Sequence, residues 1–344
     1  MASIHTKKAT QLHSRPLVAI LIISVGLLAL LLALTLSISV GAANIHFSTV
    51  WSAVFHFNPV LTTDRVIMDL RLPRTLGAAL VGACFAVAGA VMQGMTRNPL
   101  ADSSLLGLNA GAGLALAMSF AFVPGISFLY LMLYCFAGAG LGAGLVFGIG
   151  SFTRGGLTPV RLTLAGAAVS ALLTALSEGM GLYFHLSQDL AFWYAGGVAG
   201  TSWAQLKFMC PWAIAGLFTA IALSRSVTLL SLGEDVATGL GQRTRLVKVL
   251  CVLVVLVLAG SAVSTVGSIS FVGLIVPHIA RYLVGVDYRW IIPCSAILGS
   301  LLLVLADTAA RMVNPPYETP VGALISLIGV PFFLYLARKQ KGEL

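Results

Sequence analysis

The sequence predicts an all-α polytopic membrane protein of about ten transmembrane helices with both termini in the cytoplasm. Three observations predict it. The 344 residues are 58% hydrophobic and only 9% charged, with a mean hydropathy of +0.99, too little charge to cover a soluble chain of this size. Apolar residues gather into runs close to the roughly 20 needed to cross a bilayer. Lysine and arginine fall mostly on one side once those crossings are drawn.

The elements follow in order. A basic tail, MASIHTKKATQLHSRP (residues 1–16), precedes an apolar run from Leu17 to Val40. That run is longer than a signal-peptide core and ends at no convincing cleavage site, so it reads as a retained first span. Further spans are expected at residues 75–95, 104–123, 126–151, 162–184, 204–224, 246–266, 269–284, 290–312 and 320–337. The eighth is short and contains Pro277, which predicts a broken or tilted segment enclosed by protein. Gly140, Gly144 and Gly148 in the fourth have the small-residue spacing that lets helices touch, and are read as packing positions. The spans make one transmembrane domain over residues 17–339, followed by a short tail at 340–344.

With the N-terminus inside and the spans alternating, 15 of the 20 Lys and Arg residues lie inside. The other 5 are Arg65, Arg71, Arg74, Lys207 and Arg311. The positive-inside rule therefore favours this orientation. The formal net charge of +9 reflects asymmetry about a bilayer rather than a nucleic-acid partner. The five cysteines lie in apolar stretches without CxxC spacing, where Cys behaves as a small hydrophobe.

Between the sixth and seventh spans the sequence reads LLSLGEDVATGLG, on the cytoplasmic side. Ser231 and Glu234 have the S-x-x-E spacing of a capping box, and Glu234 and Asp235 suit the positive end of a helix dipole. Leu232, Val236 and Leu240 repeat at i, i+4 and i+8, giving one apolar stripe, and Gly241 is placed for a left-handed cap. A short helix over about 231–241 is expected, its stripe without a partner in its own loop. The residues leave two uses open: lying on the membrane or its own chain, or docking into a groove of a soluble partner.

LGEDVATGLG followed by a span and GSISFVGLIVPHIAR resembles the FecCD family, the permease subunits of iron-siderophore, cobalamin and haem ABC importers of type II. The block RLPRTLGAALVGACFAVAGAVMQGMTRNPLADSSLLGLNAGAGLALA (71–117) and the block LLLVLADTAARMVNPPYETPVGALISLIGVPFFLYLARK (301–339) carry the same resemblance independently. It implies that the short helix is a coupling helix seated in a separate ATPase, with Ser231, Gly233, Glu234, Ala237, Leu240 and Gly241 transmitting its closure. ATP and Mg would then bind the partner; no GxxxxGK[ST] loop occurs here, and no cofactor or metal is expected on this chain. The implied partners are two ATPase subunits, an extracytoplasmic substrate-binding protein, and a second copy or a paralogous permease.

Arg71 and Arg74, in RLPR, are basic residues on the side that should be poor in them. Anchoring to lipid phosphates is one reading. The resemblance implies another, in which Arg71, Arg74 and Arg311 pair with glutamates of the binding protein. Asp307, one turn before Arg311, is spaced to orient it. The resemblance also nominates Asn98, Leu100, Pro159 and Val160 as an inner gate, although the loop GGLTPVRL departs from relatives that carry Thr-Ser there. Glu178, in the outer half of the fifth span, is read as facing the vestibule or a neighbouring subunit, or as snorkelling. His278 lacks companions at ligand spacing and reads as packed.

The expected function is translocation of an iron-siderophore across a prokaryotic cytoplasmic membrane, with cobalamin or haem as alternative cargo. A more distant alternative is an ion-coupled secondary transporter, which would typically show unwound spans with midplane carboxylates, whereas this sequence has few intramembrane charges and carries a docking helix instead. An intramembrane enzyme would need a convergent set of His, Asp, Ser or Cys, which the spans lack.

Overall fold

The computed structural model describes residues 14–41, 45–152, 159–315 and 317–341. The tails expected at 1–16 and 340–344 lie mostly outside them. In order, the helices are α1 (Pro16–Ser39), α2 (Phe47–Phe55), α3 (Thr62–Arg65), α4 (Leu72–Thr96), α5 (Leu108–Phe122), α6 (Phe128–Phe152) and α7 (Pro159–Tyr183). They continue with α8 (Ser187–Ala195), α9 (Trp203–Leu232), α10 (Glu234–Gly239), α11 (Thr244–Val266), α12 (Val272–Val284), α13 (Tyr288–Val313) and α14 (Val321–Lys341). Seven are long and apolar enough to cross a membrane, and α5, α12 and α14 are shorter apolar helices. These ten coincide with the ten expected spans. An even number of crossings returns both ends of the chain to one side.

α4 is the axis of the bundle, and most of its residues are buried. It can be central because glycines let backbones touch where leucines would hold them apart. A Cβ on Gly82 would sit 2.2 Å from the Gly299 carbonyl oxygen of α13, and one on Gly89 1.9 Å from that of Gly273 in α12. At the periphery α1 turns Leu21, Leu28, Leu31 and Leu32 outward, as a lipid-facing helix should. The glycine reading for the fourth span needs correction. Within this chain a Cβ on Gly140, Gly144 or Gly148 meets nothing within 4 Å, whereas Gly138 and Gly142 press on the Gly111 and Gly107 carbonyls of the α5 region. The spacing was the right one, but the packed face lies two residues away, on the side of α6 turned to α5.

Two spans are too short to cross alone. At 1.5 Å per residue α5 and α12 extend about 22 and 20 Å, against a hydrocarbon core of about 30 Å. Chain outside the α-helices, residues 97–107 with one 3-10 turn at Ser103–Leu106 and residues 267–271, supplies the remaining depth and is largely packed among neighbours, as backbone at that depth requires. The Asn109 amide of α5 donates to Ser268 Oγ at 2.9 Å, joining the two regions. Of the two outcomes expected for the eighth span, a break at Pro277 does not occur. Proline there deprives the Gly273 carbonyl of its helical partner. The Gln93 amide from α4 donates to that oxygen at 3.2 Å, so the helix passes through the proline unbroken. The break falls earlier, where Gly267 and Phe271 adopt φ of +76° and +69°.

Candidate functional site

The short helix expected at about 231–241 exists, but it begins later than the spacing implies. α9 continues for 30 residues to Leu232, so Ser231 is still helical and donates to the Thr228 carbonyl at 2.7 Å. It is not a cap. Gly233, at φ +133° and ψ 147°, makes the turn, a conformation that side chains disfavour. An S-x-x-Q box forms instead at the start of α9, where the Ser202 amide donates to Gln205 Oε1 at 2.8 Å. The same spacing succeeds there because irregular chain precedes Ser202, while Ser231 sits on an unfinished helix.

Freed from capping, the Glu234 carboxylate accepts from Lys248 Nζ of α11 at 2.7 Å. The hydrogen bond from Lys248 holds its carboxyl below the usual glutamate value, against an opposing effect of partial burial. This pair ties α10 to the base of the next span. The far end closes as expected of Gly241, whose φ is +81°. Its amide donates to the Thr238 carbonyl and that of Gln242 to the Ala237 carbonyl, both at 2.9 Å, the paired bonds of a Schellman ending. Ala237 is buried against the body, while Leu232, Val236 and Leu240 stay exposed, Leu240 to 65%. One face of α10 is thus fixed and the other is a bare apolar stripe.

At the opposite end the structure gathers Arg71, Arg74, Arg311 and Asp307 into one cluster. Arg74 is 8% exposed and lies beside Asp307, which is wholly buried. Arg74 Nε donates to both oxygens of Asp307, and Nη2 donates to Oδ1 at 2.9 Å. Its Nη1 reaches Glu318 at 2.6 Å. The i, i+4 pair expected between Asp307 and Arg311 is present at 3.3 Å, but Arg74 makes the closer contacts with that carboxylate. Arg311 also donates to the Ser37 and Val40 carbonyls, and Arg71 to those of Ile38 and Ser39, sealing the end of α1. The guanidiniums expected at a free rim are therefore largely engaged inside the chain.

Glu318 was not anticipated, and neither were Lys248 and Gln93. An acidic residue in PYETP, facing arginines on the same side, was the available signal for the first. A lone amide within an apolar span was the signal for Gln93. Nothing in the spacing joins Lys248 to Glu234, 14 residues away.

Beside Arg74 and Glu318 opens a cavity of about 340 Å³, walled by Phe192 and Trp193 of α8, the glycine-rich turn 196–200 and the start of α14. At the inner end, Asn98 Oδ1 accepts from the Leu100 amide at 3.0 Å, an Asx turn that closes α4 after left-handed Arg97. Leu100 packs with Leu274, Ile275 and Leu336 of α12 and α14. Pro159 and Val160 begin α7, but their side chains lie outside the described residues. Glu178 is exposed on α7, on the face that also presents Leu164, Leu172 and Leu182. His278 packs edge-on to Phe332 at 5.8 Å. Among the described residues no group of three or more His, Cys, Asp or Glu could hold a metal. The five cysteines are free, and all but Cys210 are buried.

Ten apolar helices around a glycine-lined axis, with a braced helix at one end and an arginine cluster at the other, define a multi-pass permease. Residues 28–339 match the FecCD transport family, and the chain belongs to it. It is 57% identical to the iron(3+)-hydroxamate import system permease protein FhuB of Bacillus subtilis (strain 168), over 96% of this chain and 86% of that one. It is 44% identical to the iron-uptake system permease protein FeuB of the same organism, over 92% and 94%. It is 37% identical to the hemin transport system permease protein HmuU of Yersinia pestis, over 92% and 95%. A solved inward-facing metal-chelate type ABC transporter superposes with a TM-score of 0.81 at 29% identity, covering 92% of this chain and 99% of that chain.

Proposed function

We propose that this chain is the permease subunit of an ABC importer that moves an iron-siderophore, a ferric hydroxamate in the first instance, across the cytoplasmic membrane of a prokaryote. The bare stripe on α10 carries the reading, because an exposed apolar face outside the lipid needs a partner and α10 is braced to two spans. The partner is an ATPase subunit that binds ATP and Mg. Ser231, Gly233, Glu234, Ala237, Leu240 and Gly241 form or shape the contact. Closure of two such subunits shifts α9 and α11 through the turn at Gly233 and the Glu234–Lys248 pair. A second copy or a paralogous permease covers the exposed faces of α7 and α14, bringing Glu178 to the shared pathway. Asn98, Leu100, Pro159 and Val160 narrow its inner end. On the outside a substrate-binding protein docks at Arg71, Arg74 and Arg311, positioned by Asp307.

Relatives named for hydroxamate and for hemin bracket the cargo, and the 57% identity to the former favours a hydroxamate. Deleting the gene and measuring uptake of iron as a hydroxamate or a catecholate, beside labelled haem and cobalamin, tests this. Loss of hydroxamate uptake alone supports the reading. Normal iron uptake with lost haem or cobalamin uptake replaces the cargo.

A further inference from the structure

Arg74 presents two edges that are used differently. Its Nε and Nη2 edge is fixed on Asp307, which is fully buried within α13 and cannot leave without unpacking that helix. Its Nη1 edge is held by Glu318, whose side chain is half exposed. Glu318 sits in the exposed segment between α13 and α14, next to Tyr317, which is 73% exposed. Arg74 and Arg311, with Arg71 beside them, thus meet two carboxylates, of which Asp307 is buried and Glu318 lies on an exposed segment.

We propose that Glu318 is an internal stand-in for a carboxylate of the docking protein: it occupies Arg74 Nη1 while nothing is docked and is displaced when the partner's own carboxylate arrives. This rests on the docking reading above. An almost buried guanidinium edge left without an acceptor is expensive. Glu318 removes that cost in the free permease, and its exposure lets it regain water when it leaves. One carboxylate is exchanged for another, so net affinity stays modest while geometry stays strict. The exchange also has somewhere to act. Glu318 leads through Pro320 into α14, where the Gly322 amide donates to the Gly196 carbonyl at the end of α8. A Cβ on Gly322 would meet the Ala195 carbonyl oxygen at 2.4 Å, so the start of α14 and the end of α8 are in backbone contact. Displacing Glu318 would pull on the wall of the cavity beside it.

The test titrates the assembled permease–ATPase complex in lipid nanodiscs with the host's ferric-hydroxamate-loaded binding protein, comparing wild type, Glu318→Gln and Arg71→Gln. Removing the stand-in's charge raises the cluster's net charge and leaves Arg74 Nη1 with at most a neutral amide acceptor, which an incoming carboxylate displaces more readily. Glu318→Gln should bind about three- to fivefold more tightly at low salt, mainly through a faster on-rate, and Arg71→Gln should bind more weakly. A gain of affinity cannot come from misfolding. If Arg71→Gln weakens binding but Glu318→Gln binds no better than wild type, the docking reading stands and the stand-in is overturned. If neither substitution moves the affinity, both are overturned.

Discussion

The two ends of this permease present themselves in opposite ways. At the α10 end Glu234 is paired with Lys248 within the chain, and apolar Val236 and Leu240 are left bare. At the other end charges form the cluster, and Arg74, Arg311 and Asp307 are closed in by ion pairs and carbonyls. The first surface has unspent apolar area, the kind of face that holds a partner through a continuous cycle. The second has counter-ions already in place, suited to a partner that comes and goes.

The largest effect should come from breaking the closed end. Asp307→Ala leaves Arg74 and Arg311 without their shared carboxylate in a buried setting, and should cost about 3–5 kcal/mol in unfolding of the detergent-solubilised protein. A loss below about 1 kcal/mol would mean that water reaches the cluster.

The glycine contacts come next. Gly89→Ala drives a methyl into the Gly273 carbonyl and should destabilise by about 1–3 kcal/mol, while Gly140→Ala on the open face of α6 should be near neutral. Equal effects of the two would remove α4 from the centre of the account.

At the open end, Leu240→Asp should leave the unfolding temperature unchanged because the side chain is 65% exposed. It should weaken ATPase binding by about 2 kcal/mol or more, roughly thirtyfold, if Leu240 is an interface anchor.

The smallest effect belongs to Lys248→Ala, about 0.2–1 kcal/mol for a pair whose carboxylate is half exposed. Its pH dependence has a defined sign. Glu234 has a lowered pKa in the folded chain, so the pair's contribution is present above the ordinary carboxyl value of 4.5 and fades as pH falls through the lowered one. The gap in unfolding temperature between wild type and Lys248→Ala should hold from pH 8 down to about pH 5 and close in stronger acid. A gap that widens in acid would refute the pairing.

The spans were legible because the bilayer imposes one length and one composition on each of them. Even α12, short and carrying proline, was found. What sequence spacing could not decide was which of two local options wins. Ser231 has the capping pattern, yet α9 keeps it helical, because the turn is set by Gly233. Gly140 and Gly138 belong to the same small-residue pattern, and only the rotation of α6 against α5 picks the second. Arg74 was legible as an outside charge, but its depth was not, since the burying partners Asp307 and Glu318 lie 233 and 244 residues away. Contacts of that range leave no local trace.

The central claim is that this chain moves cargo only when a separate ATPase grips α10. The most direct measurement is co-purification of the host's ATPase subunit with membrane-inserted wild-type and Leu240→Asp permease at equal expression, alongside ferric-hydroxamate uptake in the same cells. The account predicts that wild type retains the ATPase and imports iron, and that the folded variant does neither. A Leu240→Asp permease that lets go of the ATPase yet still imports iron would contradict it.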